Sequence, residues 1–201
     1  MKILSHILLS LITLLCFSTG ASSQLRYGFR FGGEFASAQL KNAPGYSLDN
    51  RSGFSGGLDL EYQFTKCGFA PDLAIVYKRY NTRLKSDYQS PKSFGRDFIE
   101  VPLRLKYKFW LKSTKDLVGP MIYTGPSVMF RLDNGKDCPM TTKRIQAGWD
   151  VGIGFDIINF IQITGGYRFG LGNTVDSFAG IPAASLHTNG WHVDVTILFD
   201  F

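Results

Sequence analysis

The sequence predicts an all-β protein, an eight-stranded antiparallel up-and-down transmembrane β-barrel. Three observations carry that expectation. Apolar and polar residues alternate with a period of two through seven stretches of the chain. The apolar set is crowded with aromatic rings, whereas the set between them is glycine mixed with charges of both signs. Connections between the stretches alternate between short and long. A period of two places unlike residues on the two faces of a strand.

The chain begins with "MKILSHILLSLITLLCFSTGASSQ". Lys2 precedes an apolar stretch from Ile7 to Phe17, and Ala21 and Ser23 stand at −3 and −1 of a cleavage before Gln24. This predicts a signal peptide over 1–23, removed on export, and one mature domain over 24–201. Leu15 precedes Cys16 where a lipoprotein signal wants a small residue, so Cys16 is expected to leave with the leader. The 22 basic and 16 acidic residues give a formal charge of +6, and losing Lys2 leaves +5. That mild excess, on an exported chain, does not point to nucleic acid.

The mature strands follow in order. "LRYGFRFGGEF" (25–35) sets Leu25, Tyr27, Phe29, Phe31 and Phe35 against Arg26, Gly28, Arg30, Gly32 and Glu34. "FSGGLDLEYQF" (54–64) sets Phe54, Leu58, Leu60, Tyr62 and Phe64 against Gly57, Asp59, Glu61 and Gln63. In 72–80, Leu73, Ile75 and Tyr77 oppose Asp72, Ala74 and Lys78. "IEVPLRLKYKF" (99–109) sets its apolar residues against Glu100, Arg104, Lys106 and Lys108, with Pro102 between them. Segment 117–132 is rich in β-formers, but Pro120 and Pro126 interrupt it and its faces cannot be assigned. "IQAGWDVGIGFDI" (145–157), "IQITGGYRFGL" (161–171) and "WHVDVTILFDF" (191–201) restore the pattern. The links 65–68 and 158–160 are short and 110–116 is moderate. The links 38–52, 82–96, 132–144 and 172–190 are long and rich in turn residues.

Volume decides which face lies outside. An eight-stranded barrel is barely wide enough for its own side chains. Twelve Phe and Trp residues on the apolar face, from Phe29 to Phe201, would overfill it. Gly28, Gly32, Gly57, Gly148, Gly152, Gly154, Gly166 and Gly170 suit a narrow bore, and the charges beside them suit pairing across it. The expected bore network is Arg26, Arg30, Glu34, Asp59, Glu61, Lys78, Glu100, Arg104, Lys106, Asp150, Asp156, Arg168 and Asp194, joined by Asp72, Lys108 and Asp200. The apolar face then meets lipid, where a midplane Arg or Lys would cost about 2–4 kcal/mol. Arg79 is the one outward charge. Two aromatic girdles are expected, one with Tyr27, Tyr62, Tyr107 and Phe199, the other with Phe35, Phe54, Tyr77, Trp149 and Trp191.

The 99–109 strand, "YTGPSVMFRL", "GWDVGIGFDI" and the terminal "VTILFDF" together resemble the PorT-like outer membrane β-barrel family of Bacteroidetes-type bacteria. The resemblance covers nearly the whole mature chain, and Glu100 to Tyr107 is its most specific element. It implies an outer membrane location, periplasmic termini, extracellular long loops and a C-terminal Phe201 read by the barrel-assembly machinery. Its founding member is linked to protein export across the outer membrane, and it supplies no catalytic motif. In that topology Cys67 and Cys138 lie on opposite rims. The apolar band between is about 25 Å tall, so no bond between them is expected.

Chemistry is sparse. The mature chain has two histidines, His187 and His192. His192 alternates into the bore beside Asp194, where a hydrogen bond is its simplest role. His187 lies in the fourth long link with Ser185 and Asp176, without the spacing of a triad. No metal-ligand spacing, phosphate loop or cofactor motif is present, and no enzyme activity is expected. The alternative is a membrane-embedded hydrolase or acyl transferase acting on outer membrane lipid. The long links are mildly basic. Arg79, Arg83, Lys85, Arg96, Arg131, Lys143 and Arg144 are the candidate contacts to lipopolysaccharide phosphates. The expected partners are outer membrane lipid and lipopolysaccharide, the assembly machinery during insertion, and envelope proteins.

Overall fold

The computed structural model describes residues 23–41, 46–50, 52–64, 68–86, 92–109, 117–132, 140–172, 175–178 and 185–200. Apart from Ser23, the expected signal segment lies outside them, as do Cys67 and Cys138. The described strands are β1 (Ser23–Lys41), β2 (Tyr46–Asn50), β3 (Ser52–Phe64), β4 (Phe69–Ser86), β5 (Lys92–Lys108), β6 (Val118–Arg131), β7 (Met140–Thr142), β8 (Ile145–Ile157), β9 (Ile161–Leu171), β10 (Val175–Phe178) and β11 (Ser185–Asp200).

The eight long strands pair antiparallel in the order β4-β3-β1-β11-β9-β8-β6-β5, and a β4–β5 pairing closes the circle. Closure leaves no unpaired edge in the wall, which hydrocarbon requires. The fold is thus the closed eight-stranded antiparallel barrel that the alternation predicts. Facing follows the same rule throughout. Phe31, Ile75, Leu103, Ile153 and Trp191 project from the wall, while the residues between them are buried.

Two expectations need correction. The long links are shorter than composition suggests, because pairing continues beyond the alternating stretches. β1 and β11 stay in register out to Lys41 opposite Ser185. β4 and β5 stay paired to Leu84 opposite Lys92, and β2 adds to β4 from the other side. Residues 36–41 and 82–86 in these extensions carry no aromatic ring, so the strongest mark of the wall stretches is missing there. The second correction concerns β6, which alternates cleanly. Gly119, Met121, Tyr123, Gly125, Ser127 and Met129 face inward, and Ile122, Thr124, Pro126, Val128 and Phe130 face outward.

The prolines act on pairing rather than on facing. β5 and β6 pair at Pro102 opposite Ser127 and again at Leu105 opposite Thr124, with the residues between skipped. β4 and β5 skip likewise between Leu73 opposite Leu103 and Val76 opposite Glu100. Pro102 and Pro126 have no N–H to donate, so the ladder lapses beside them.

At the short-turn rim, Ile158 and Asn159 take left-handed backbone, with φ of 56° and 53°. This three-residue turn lets Phe160 O accept from Leu198 N at 2.8 Å. Rings gather on the wall around the same rim. Tyr27 and Phe199 lie 5.7 Å apart, Phe69 and Tyr107 4.8 Å, and Phe160 and Phe199 5.3 Å. Toward the long-loop rim, Tyr167 packs against Trp191 at 4.9 Å and Phe54 against Tyr77 at 6.0 Å.

Candidate functional site

The bore holds most of the chemistry-bearing side chains. Each of the thirteen network residues named from the sequence points into it and is 4% exposed or less. Asp72 and Lys108 join them at 1%. Counting Arg96, the buried charges among the described residues are eight cations and eight anions, which balance when all are ionised. That balance matters because an unpaired charge there would keep its full desolvation cost.

The ions lie in tiers. Nearest the short-turn rim, Lys108 Nζ donates to Glu61 Oε1 at 2.5 Å and Asp156 Oδ2 at 2.7 Å. Lys106 Nζ reaches Glu61 Oε2 at 2.8 Å and Asp72 at 2.9 Å. Arg26 meets Glu61 at 3.2 Å and Asp156 at 3.4 Å, and its other nitrogen donates to the Asn159 carbonyl of the left-handed turn. That turn therefore folds over the end of the bore. Gln162 seals the tier, donating to Glu61 at 2.9 Å and to Asp156 at 3.1 Å.

In the middle tier, Arg30 bridges Asp59 and Asp72, the latter at 2.7 Å. Arg104 lies 3.2 Å from Asp150 and 3.5 Å from Asp194, with its guanidinium 5.0 Å from the Tyr123 ring centre. Tyr123 spans toward β9 and β11, and its hydroxyl lies 2.7 Å from His192 Nε2. It fits because Gly152 and Gly166 leave a slot that any Cβ would fill. Gly148 does the same for the Arg168 guanidinium. Nearer the long-loop rim, Lys78 bridges Glu34 at 2.6 Å and Glu100 at 2.7 Å, while Arg168 meets Glu100 at 2.6 Å. Tyr80, Phe98 and Met129 then form a small apolar cluster inside the bore.

Sequence reasoning left Tyr123, Met129, Phe98 and Tyr80 outside the network. Tyr123 and Met129 sit on the strand whose faces could not be assigned. The signal was available in parity, since Gly119 and Gly125 alternate with the outward Pro120 and Pro126.

The candidate rim cations divide. Arg79 projects from the outer wall, with its side chain 47% exposed. Arg83 lies four residues on, on the same face and half-buried. Lys143 and Arg144 are exposed just before β8. Arg131 is half-buried at the end of β6, and its N–H donates to the Arg144 carbonyl at 2.9 Å. Lys85 falls in β4 opposite Ser47, with its side chain outside the described set. Arg96 is a correction: it is 2% exposed and faces the bore. β5 extends past it, and Arg96 shares the parity of Phe98 and Glu100. His187 falls within β11 opposite Gln39 rather than in a loop. Among the described residues no cluster of His, Cys, Asp and Glu is arranged to hold a metal ion.

A polar bore, a lipid-facing wall and two aromatic rims agree with one family, whose description is Outer membrane protein beta-barrel domain and which matches residues 17–176. The chain belongs to that family. No curated protein matches it. Among solved structures it is similar to the outer membrane protein OprG from Pseudomonas aeruginosa. That likeness has a TM-score of 0.62 at 12% identity over 90% of this chain and 97% of the other. It is also similar to Neisserial surface protein A, with a TM-score of 0.50 at 18% identity over 87% and 97%. At such identities the likeness speaks for the barrel fold alone. Family membership places the chain in the outer membrane.

Proposed function

We propose that this outer membrane barrel is neither a pore nor an enzyme, and that it works through its long-loop end. That end would serve as a binding surface or as an accessory in an envelope process such as protein export. The observation that supports this is the balanced, cross-linked set of long charged side chains buried in the bore. In this reading the termini are periplasmic, the long loops are extracellular, and the kinship is PorT-like. Its partners are outer membrane lipid and lipopolysaccharide, the assembly machinery during insertion, and other envelope proteins. No nucleic acid is involved, and no cofactor.

A hydrolase or acyl transferase is less well supported. His192 is enclosed in the bore, 2.7 Å from the Tyr123 hydroxyl and 4.0 Å from Asp194, away from any lipid chain. Planar-bilayer recording of the full mature chain should give no steady conductance, and a large stable conductance would end the non-pore reading. His187→Ala and His192→Ala should leave the lipid A profile of the host membrane unchanged, and an altered profile would restore the enzyme. Crosslinking and pull-down from native outer membrane distinguishes the two roles. Recovered secretion components support the accessory role, and recovered surface ligands support binding.

A further inference from the structure

Between β8 and β9 the chain reverses over residues 157–160, with Phe160 N donating to Ile157 O at 3.1 Å. Ile158 and Asn159, the two central residues, both take left-handed backbone. Turns of this kind favour asparagine and glycine. A β-branched side chain resists the conformation, because its Cβ crowds the backbone there. Ile158 nevertheless holds the first central position, and at 66% exposed it gains little from packing within the protein.

What offsets that strain comes from Arg26, whose nitrogens divide their work. Nη1 serves the tier beneath, 3.2 Å from Glu61, 2.7 Å from Gln63 and 3.4 Å from Asp156. Nε stands 3.3 Å from Asp200 at the end of β11. Nη2 donates to the Asn159 carbonyl. That carbonyl and the Phe160 N–H belong to one rigid peptide plane. The plane is therefore held at both edges, by Arg26 from inside the bore and by Ile157 from the strand. Turning it breaks both bonds together.

We propose that the peptide plane between Asn159 and Phe160 is a two-position latch on the short-turn end of the bore, with Arg26 as its catch and the left-handed Ile158 as its spring. Closed, it folds the turn across the tier of Glu61, Asp156 and Lys108. Open, the guanidinium loses its acceptor in the turn, and water reaches that tier from the rim. This goes beyond the loop-end reading above, because it gives the opposite end of the barrel a moving part. The latch sets how often the innermost ion pairs of that end meet water.

The test is amide hydrogen exchange by NMR on the full mature chain in phospholipid nanodiscs. It reads the Phe160 N–H against the Ile153 N–H, which lies midway along β8 opposite Ile122. Ile158→Asn keeps the turn and relaxes its backbone, and should slow exchange at Phe160 about fivefold. Arg26→Lys keeps the charge but loses the planar fork. It should speed exchange at Phe160 about tenfold and leave Ile153 unchanged. The double variant should return Phe160 toward the parent rate, since a relaxed turn needs less of a catch. Asp200→Asn leaves the catch on the turn and should change neither amide. Unchanged or faster exchange at Phe160 in Ile158→Asn overturns the spring, and with it the latch, even if Arg26→Lys fails to fold. Equal acceleration at Phe160 and Ile153 in Arg26→Lys overturns the catch. No current is measured, so failure here and failure of the non-pore reading remain distinguishable.

Discussion

Gly165 and Gly166 are neighbours in β9, yet they stand in different solvents. A Cβ on Gly165 would meet nothing nearer than the His192 carbonyl at 4.0 Å. A Cβ on Gly166 would strike the Tyr123 hydroxyl, with the Val151 carbonyl at 2.7 Å and His192 Nε2 at 2.9 Å. One glycine looks onto fluid lipid, which reshapes itself around any side chain. The other looks onto a packed, ionised interior that cannot yield. The contrast holds along every strand. The wall demands only apolar character, whereas the bore demands a particular volume and a particular charge at each position.

Breaking the charge rule of the bore should have the largest effect. Glu61 is shared by Arg26, Lys106 and Lys108. Glu61→Ala leaves three buried cations short of an anion and should cost about 3–5 kcal/mol, measured by reversible urea unfolding in phospholipid vesicles. A cost below about 1 kcal/mol would place that tier in contact with water. Violating the apolar rule of the wall comes next. Ile153 projects into lipid midway along β8, and Ile153→Arg should cost about 2–4 kcal/mol in the same assay. A negligible cost would show that this wall does not face hydrocarbon. The glycine pair sharpens the comparison most finely. Gly166→Ala should cost about 1–3 kcal/mol, the usual penalty of overpacking. Gly165→Ala should be close to neutral, and equal losses at the two positions would erase the distinction between bore and wall.

Much of this was readable in the sequence, for physical reasons that also explain the failures. Where a strand separates lipid from the bore, the contrast between its faces is extreme. "GWDVGIGFDI" therefore declared both its facing and its glycine slots. Where a strand runs on without aromatic rings, as at residues 36–41 and 82–86, the mark of a lipid-facing face is missing and the extension reads as loop. Arg96 shows the cost of that error. Once it had been assigned to a loop, its parity with Glu100 was not applied, and a bore cation was counted with the surface. In β6 the prolines suggested broken structure, but a proline removes one donor without rotating its neighbours, so Tyr123 kept its place in the bore. The partners within the bore were not legible at all. The sequence gives a list of charges on a face, while pairing depends on which strands stand opposite across the barrel.

Those opposite partners are far apart along the chain. Arg26 meets Asp156 across 130 residues, Gln162 meets Glu61 across 101, and Arg104 meets Asp194 across 90. A half-finished cylinder would therefore expose orphaned charges to the bilayer, with their counterparts still to arrive. Insertion should proceed as a single concerted event, with water or an escort shielding the nascent interior until the first and last staves meet.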